Sequence, residues 1–513
     1  GTTESQTLAN LNFFEWLRQE YGMQLDIYAF DAGLIDGKNI YGSINSQRFK
    51  NKFPKGLDST YLKAKQNGVR LGLWGGPDGF GDTLESAEER KEMLVSLCRN
   101  YDWALFKFDA VCGPLREEKE DLFVDMIGEC RKYSPDLILL NHRLGLKKAE
   151  QCATTFLWEG KESYIDVNSF NTCAAPHNRV GALGRGLVPD LKRLTEDHGV
   201  CLSSCLDYWE DELVLQAFNR SLLLSPQIYG NPWLLSDREF PKLARIFNLH
   251  RKFSGLLVDG IELPSAYGKY AVSRGDDKTR LITLRNLTWE PQKVKIVLNH
   301  EIGLEECKHV KCRLYHPVER ILGIYNYGES VEVTVLPFRS MLFYASADES
   351  LDGIGVEGTD FEIIKDVAGK PIEINLLGFA GTQSHIKLNN LPGVEKIEMD
   401  GQDVTKKLSN SKTMNINFEG GKYSKSYHRK IADLSPVSIP YDVNTLYEAT
   451  VFVADNNAME VRSLYRSGTT KIKQVEEARN AFFNQSAFIN RGVWDKYLFD
   501  GDMGTGFWPS KRK

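Results

Sequence analysis

The stretch that decides the fold is ALFKFD, residues 104–109, which is apolar apart from Lys107 and the closing Asp109. Short runs this rich in apolar residues are typical of strands that are buried on both faces, as in parallel sheets. A capping-box pattern, Ser86 with Glu89 three residues on, precedes the run and predicts the start of a helix. A helix followed by a buried strand indicates an α/β fold.

The same pattern recurs across the first half of the chain. Helical patterns lie between most of the runs, such as Leu57–Gln66, which Gly68 is expected to cap. A doubly wound sheet would often carry a Gly-rich phosphate turn after its first strand, and the sequence has none. We therefore predict a (β/α)8 TIM barrel of the α/β class. The predicted strands are Gln24–Phe30, Val69–Trp74, Ala104–Asp109, Leu137–Asn141, Ala153–Trp158, Val200–Leu206 and Pro226–Tyr229.

These runs fall one short of the eight strands of a closed barrel. The chain opens on a helical pattern, Leu8, Leu11, Phe14 and Leu17, before any predicted strand. We therefore expect the first strand to lie upstream of Gly1 or to be missing. The eighth barrel position would then be empty, swapped or filled by a segment not predicted as a strand, which would weaken both stability and activity.

Beyond about residue 256 the helical periodicity stops. Strand-like runs such as Arg280–Leu284 and Met341–Ala345 alternate with turns, which predicts antiparallel β-sandwich domains after the barrel. We expect a catalytic barrel over residues 1–255, a sandwich over 256–347, a second β domain over 348–436 and an extension over 437–513.

The composition excludes several classes of function. The 513 residues are 42% hydrophobic and 26% charged, and the net charge of −5 provides no positive field for nucleic acid. No apolar run approaches the length of a membrane span. The nine cysteines and nine histidines do not indicate a metal site, so neither a metal nor another cofactor is expected. An extracytoplasmic location, periplasmic or secreted, is expected, and the oligomeric state is left open.

The C-terminal ends of the predicted strands, where (β/α)8 enzymes hold their reactive groups, are rich in carboxylates and aromatic residues. Aromatic rings stack on sugar rings, and carboxylates bind hydroxyls and attack or protonate the anomeric carbon. An oligosaccharide or glycan is therefore the expected substrate. The residues predicted to bind it are Asp31, Trp74, Asp78, Lys107, Asn141, Arg143, Trp158 and Asp207.

Lys107 and Asp109 lie two residues apart, so strand alternation places both on the side facing the barrel axis. Charged side chains are costly inside a barrel, so a pair of opposite charges there indicates a function. The lysine would favour the ionised carboxylate that a nucleophile requires. A solvated ion pair is the alternative interpretation of so short a motif.

The order of these motifs resembles the clan of retaining α-galactosidases, glycoside hydrolase families 27 and 36, over about residues 8–347. Lys107-Phe108-Asp109 matches the clan's Lys-x-Asp, which implies that Asp109 is the nucleophile. Asp31-Ala32-Gly33 matches a sugar-binding Asp-Asp-Gly turn, except that alanine replaces the second aspartate. Leu73-Trp74 and the closing run Leu336-Pro337-Phe338-Arg339-Ser340 also match. The resemblance implies retaining hydrolysis of a terminal α-linked sugar.

Two departures from the clan leave the acid/base and the sugar open. The text after Trp158 lacks the clan's Trp-x-Ser-Asp, and three carboxylates compete for the acid/base role: Glu162 first, because of its spacing, then Glu159 and Asp166. Ala32 removes a hydroxyl contact, which puts galactose itself in question, so another α-galactoside-like sugar or an L-sugar of related stereochemistry is an alternative to an α-galactoside. In a retaining enzyme the acid/base carboxyl should lie about 5–5.5 Å from that of Asp109.

The end of the chain and the function each have a second interpretation. Asp500-Gly501-Asp502 and Trp508 resemble the start of a discoidin-like sugar-binding domain, and an ordinary turn in a β domain is the alternative. A non-catalytic carbohydrate-binding protein on a hydrolase-like barrel is the alternative function. A transglycosylase would share the mechanism of the hydrolase.

Overall fold

The structure is a computed structural model, and the fold is described over seventeen stretches of the chain. None of the helices in these stretches is long and apolar enough to cross a membrane. The described residues are 2–35, 42–109, 112–142, 146–154, 164–167, 197–201, 209–219, 227–229, 232–257, 260–269, 271–288, 290–337, 339–348, 353–391, 393–409, 412–420 and 470–483.

The first part of the chain alternates helices and strands, which confirms the α/β prediction for this part. The helices are α1 (Glu4–Tyr21), α2 (Gln47–Lys52), α3 (Asp58–Gln66), α4 (Leu84–Tyr101), α5 (Glu120–Tyr133), α6 (Trp209–Phe218) and α7 (Phe240–Phe253). The strands are β1 (Ile27–Phe30), β2 (Arg70–Gly75), β3 (Leu105–Asp109), β4 (Ile138–His142), β5 (Tyr164–Val167), β6 (Asp197–Cys201) and β7 (Gln227–Tyr229).

These strands form two parallel sheets, one in the order β1-β2-β3-β4 and the other in the order β5-β6-β7. Parallel pairing requires a crossover between strands, and the helices between β1 and β4 provide it. No pairing joins the two sheets among the described strands, so their closure into one barrel stays a prediction.

The predicted strand Ala153–Trp158 lies largely outside the described residues. Its second residue, Thr154, donates its N–H to the carbonyl of Leu139 in β4 at 2.9 Å, and Thr154 Oγ1 accepts the N–H of Leu139 at 2.9 Å. Ala153 and Thr154 are not themselves in a strand, and β5 begins ten residues later, in a segment that was not predicted as one. Likewise β6 begins before the predicted run Val200–Leu206.

A row of apolar side chains explains why β1 to β4 form one sheet. Phe30, Leu73, Phe106 and Leu139 are in register across the four strands, and each is at most 2% exposed. Full burial of such side chains contributes about 1.5–3 kcal/mol each. On the opposite face, a Cβ at Gly72 would lie 3.0 Å from Cβ of Ala29 and 3.2 Å from Cβ of Leu105, so a larger residue would crowd the neighbouring strands.

An antiparallel region follows helix α7, as the sequence predicts. One sheet has the order β13-β12-β15-β10-β9-β8, and the pair β11-β14 forms a second. Apolar residues of both sheets share one core, among them Ile282, Val294 and Phe343. The strands are β8 (Gly260–Glu262), β9 (Val272–Gly275), β10 (Thr279–Arg285), β11 (Gln292–Val297), β12 (His309–His316), β13 (Arg320–Asn326), β14 (Ser330–Val335) and β15 (Ser340–Ser346).

A second antiparallel region has its own core around Val356, Phe361 and Ile386. Its sheets have the orders β16-β19-β22, β17-β18 and β20-β21. The elements are β16 (Gly355–Glu357), β17 (Asp360–Lys365), β18 (Glu373–Leu377), β19 (Thr382–Asn389), β20 (Glu398–Met399), β21 (Gln402–Asp403), α8 (Thr405–Leu408) and β22 (Thr413–Phe418).

The described part of the predicted C-terminal extension is a helix, α9 (Lys473–Phe483), which the sequence analysis did not foresee. Val475 and Ala478 are buried in the same cluster as Phe13 and Leu17 of α1. Arg479 donates to the carbonyl of Trp233 at 2.8 Å. The helix therefore packs on the α/β part of the chain. The residues that resemble a discoidin-like domain, 500–502 and 508, lie outside the described residues.

A buried aspartate joins helix α6 to the antiparallel sheet. Asp211, which is 0% exposed, accepts from Nε2 of His316 at 2.9 Å and from the N–H and Oγ of Ser340 at 2.7 and 2.8 Å. Nε of Arg339 lies 2.9 Å from its other oxygen. Burial alone would raise the pKa of Asp211, but His316, Arg339 and Arg285 hold that pKa well below its usual range. The Leu-Pro-x-x-Ser run therefore links the two parts of the molecule.

Candidate active site

The candidate site lies at the C-terminal edge of the four-stranded sheet, where β3 ends at Asp109. The indole Nε1 of Trp74, near the end of β2, donates to Oδ2 of Asp109 at 3.1 Å. Trp74 is 6% exposed, whereas Asp109 is half-buried. An indole N–H can only donate, so the carboxylate oxygen is the acceptor in this hydrogen bond.

Lys107 lies two residues before Asp109 on the same strand, and its backbone is in register with Trp74. Strand alternation puts Lys107 and Asp109 on one face, and residues in register on parallel strands share a face. Lys107 is half-buried. The structure thus places Trp74, Lys107 and Asp109 on one face of the sheet, opposite the Phe106 row.

Asp31 follows β1 at the same edge of the sheet and is exposed. Two cations hold the turn that follows Asp31 in the chain. The carbonyl of Gly33 accepts from Nη2 of Arg48 at 3.1 Å and from Nζ of Lys52 at 2.9 Å. Burial, followed by repulsion from Arg48, lowers the pKa of Lys52. This anchoring defines the path of the chain just after Asp31.

Asp78, predicted to bind substrate, is engaged by the protein itself. Its carboxylate accepts from Nε and Nη2 of Arg116 at 2.6 and 3.0 Å, and from the N–H groups of Gly79 and Phe80 at 2.6 and 3.2 Å. Burial alone would raise the pKa of Asp78, but these hydrogen bonds outweigh it and lower the pKa to about 2. Asp78 therefore ties the loop after β2 to the loop after β3.

Sequence reasoning missed Arg116, the partner of Asp78. It also pairs with the exposed Asp82 at 2.6 Å, and both carboxylates raise its pKa. The pattern Asp78-Gly79-Phe80-Gly81-Asp82 offered a partial signal, because two carboxylates on one turn call for a cation. Nothing in the sequence says which cation it is, since Arg116 lies 38 residues from Asp78.

Most of the remaining predicted site residues lie outside the described residues: Glu159, Glu162, Arg143, Trp158 and Asp207. For Asn141 and Asp166 only the backbone is described. Asn141 of β4 is in register with Phe108 of β3. In the second parallel sheet, Asp166 of β5 is in register with Gly199 of β6. The identity of the acid/base residue, and the distance between its carboxyl group and that of Asp109, stay predictions.

Comparisons with known proteins give matches in structure and none in sequence. No protein-family model matches the chain, and no curated protein matches it. α-Galactosidase I from Mortierella vinacea is 11% identical, with a TM-score of 0.45, over 67% of this chain and 93% of that one. α-Galactosidase from Saccharomyces cerevisiae, solved with raffinose, is 10% identical, with a TM-score of 0.47, over 67% of this chain and 94% of that one. α-Galactosidase from Lactobacillus brevis is 11% identical, with a TM-score of 0.46, over 68% of this chain and 53% of that one.

Proposed function

We propose that this chain is a retaining glycoside hydrolase that removes a terminal α-linked sugar, an α-galactoside or a related sugar. The observation that carries the proposal is the hydrogen bond from Trp74 to Asp109 at the C-terminal edge of a parallel sheet, with Lys107 on the same face. A half-buried carboxylate that is held by a donor and shares a strand face with a lysine is suited to nucleophilic attack. The Lys-x-Asp resemblance supports the same role.

In the proposed first step, a carboxylate oxygen of Asp109 attacks the anomeric carbon. The bond from that carbon to the glycosidic oxygen breaks, and the leaving oxygen takes a proton from the acid/base, for which Glu162 is the first choice. The product is a glycosyl ester on Asp109. The indole of Trp74 holds the carboxylate during attack, which reduces the reorganisation needed in the transition state.

In the second step, water attacks the same carbon after giving its proton to the acid/base. The ester bond breaks, Asp109 is regenerated as a carboxylate, and the sugar leaves with its original anomeric configuration.

The proposal includes a closed barrel built from both parallel sheets. The hydrogen bonds between Thr154 and Leu139 support it, because they attach the chain to the free edge of β4 ten residues before β5 begins. In such a barrel the C-terminal ends of β3 and β5 face one mouth, which would bring the Asp166 end of β5 toward Asp109, whereas Glu159 and Glu162 precede the start of β5.

The test is a panel of aryl α-glycosides with a good leaving group, with product stereochemistry measured by NMR. An activated leaving group needs little acid catalysis, so turnover is expected whichever carboxylate is the acid/base. We expect release of the α-anomer first from an aryl α-galactoside or a stereochemical relative. Absence of turnover on every glycoside, together with binding of the free sugar, would identify a non-catalytic sugar-binding protein instead.

A further inference from the structure

Two cysteines that the proposed mechanism does not use lie side by side between helices α4 and α5. Cys98 is 1% exposed and Cys130 is 0% exposed, and both are free thiols. The thiol of Cys130 donates a hydrogen bond to the sulfur of Cys98, and so does the hydroxyl of Ser134. Each helix therefore contributes one sulfur to a single buried contact.

The two cysteines occupy equivalent positions in the last turns of their helices. Asp102 caps α4 and donates its N–H to the carbonyl of Cys98 at 2.9 Å. Ser134 caps α5 and donates its N–H to the carbonyl of Cys130 at 2.9 Å. The caps are themselves joined, because Oγ of Ser134 donates to Oδ1 of Asp102 at 3.3 Å. The last turns of the two helices thus lie at the same level.

One guanidinium holds the same two helix ends from the neighbouring strand. Nη2 of Arg70, the first residue of β2, lies 2.9 Å from Oδ1 of Asp102, just after α4. Nη1 of Arg70 lies 2.6 Å from Oδ2 of Asp136, just after α5. Because other side chains already fix the helix ends against each other, the closeness of the thiols does not depend on their own weak hydrogen bond.

The surroundings of the two thiols also decide which one reacts first. Two cysteines can be bridged only where the backbone already brings them close, as it does here. The hydrogen bond from Cys130 lowers the pKa of the Cys98 thiol, although burial alone would raise it. The thiolate is the attacking species in disulfide exchange, so Cys98 is the nucleophile of the pair. Helix ends open locally more easily than the whole fold, which gives a reagent access to the last turns.

We propose that Cys98 and Cys130 are a site of reversible disulfide formation, which a small-molecule disulfide such as oxidised glutathione closes. Cys98 loses its proton to solvent, and its thiolate attacks one sulfur of the reagent, which forms a mixed disulfide and releases one glutathione thiolate. That thiolate takes the proton of Cys130, whose sulfur then attacks the sulfur of Cys98 and releases the second glutathione, which is protonated by solvent. Two protein thiols are oxidised to one disulfide, and one reagent disulfide is reduced to two thiols.

The crosslink would join α4 to α5 at the edge of the sheet away from the candidate active site. The two helices end shortly before β3 and β4 begin, whereas Asp109 lies at the C-terminal end of β3. The closed loop, residues 98–130, contains the whole of β3. A crosslink restricts the unfolded chain more than the folded one, so it should stabilise this part of the fold. This proposal does not depend on the proposed hydrolase activity.

Exposure of the full chain to oxidised glutathione, once in the folded state and once during refolding from urea, tests the pair. Peptide mass spectrometry without reduction should find a Cys98–Cys130 crosslink that dithiothreitol removes. The crosslinked protein should melt about 5–10 °C above the reduced protein. Cys130→Ser should hold glutathione on Cys98 and gain no such stability. Cys152→Ser removes another buried thiol of the same core, so it is the matched control and should still form the crosslink.

Three outcomes would overturn the proposal. The first is the absence of the Cys98–Cys130 peptide from both the folded and the refolded sample. The second is a preference of either cysteine for a different partner, which would show that the two sulfurs do not face each other. The third is a crosslinked protein that melts at the same temperature as the reduced one. All three are measured on the wild type, so they hold even if Cys130→Ser does not fold.

Discussion

Two aspartates of this chain, Asp109 and Asp211, show how surroundings assign a carboxylate its role. Asp211 is 0% exposed and is held by His316, Arg339 and Ser340 at the junction of helix α6 and the antiparallel sheet. Asp109 is half-buried at a strand end, where Trp74 donates to one of its oxygens. A carboxylate enclosed by protein donors stabilises the fold, whereas the half-buried carboxylate at a strand end is the one that we propose reacts.

The sharpest test of this contrast is Asp109→Asn. An amide cannot form the glycosyl ester, so kcat should fall by about 10⁴–10⁶, as when members of a catalytic triad are removed. The free energy of unfolding, measured by urea titration, should change little. The surface variant Asp125→Asn is the control and should retain full activity. Near-normal turnover by Asp109→Asn would remove Asp109 from the mechanism.

The opposite pattern is expected for Asp211→Ala. Removal of one partner from a buried ionic network leaves the others without compensation and destabilises the fold by about 3–5 kcal/mol. The midpoint of urea unfolding should fall accordingly, while kcat per folded molecule should stay near the wild-type value. A large loss of kcat in protein that is still folded would mean that the junction acts on the site, and the contrast would fail.

Trp74→Phe probes the donor to Asp109 alone. A hydrogen bond to a charged group contributes about 1.5–3 kcal/mol, so its loss should lower kcat roughly 10- to 100-fold. The matched control is Trp103→Phe. Trp103 is fully buried, and its indole nitrogen has no hydrogen-bond partner among the described residues. That control should lower the melting temperature and leave kcat intact, so equal kcat values for the two variants would exclude a role for the Trp74 N–H.

Asp78 lies near the candidate site, like Asp109, and is held by protein donors, like Asp211. The pH dependence of stability measures how much it stabilises the fold. Its pKa is lowered to about 2 in the folded protein, so its contribution to stability is present above pH 4, roughly its unfolded pKa, and is lost as the pH falls toward 2. We expect Asp78→Asn to be less stable by about 1 kcal/mol at neutral pH after solvent screening, with the difference vanishing near pH 2. A difference in melting temperature that does not depend on pH over this range would contradict the ion pair with Arg116.

Much of the parallel region could be predicted because its signals are local. Strands that are buried on both faces consist of nearly continuous apolar residues. The runs around Phe30, Leu73, Phe106 and Leu139 have this character, and all four lie in strands of one sheet. The segment Tyr164–Val167 was missed, because Asp166 interrupts a four-residue run that has no strong period. The sequence analysis does not predict helix α9, because the clearest local signals in the extension are the turn residues near position 500.

The candidate site was predictable in part for the same reason. Strand alternation alone places Lys107 and Asp109 on one face, and the end of a parallel strand is where such groups act. The engagement of Asp78 by Arg116, and of Asp211 by Ser340, could not be read from the sequence. These contacts depend on the paths of separate loops and on the packing of one region against another.

The sequence by itself determined the alternation of helices and strands, the change to antiparallel structure after residue 256, and the position of Asp109 at the end of a buried strand. These properties follow from side-chain periodicity over a few neighbouring residues. Only the tertiary structure decided that Trp74 donates to Asp109, that Asp78 is held by Arg116, and that Arg339 and Ser340 hold Asp211. Partners 35 to 129 residues apart meet because strand register and loop path bring them together, and no local pattern encodes that distance.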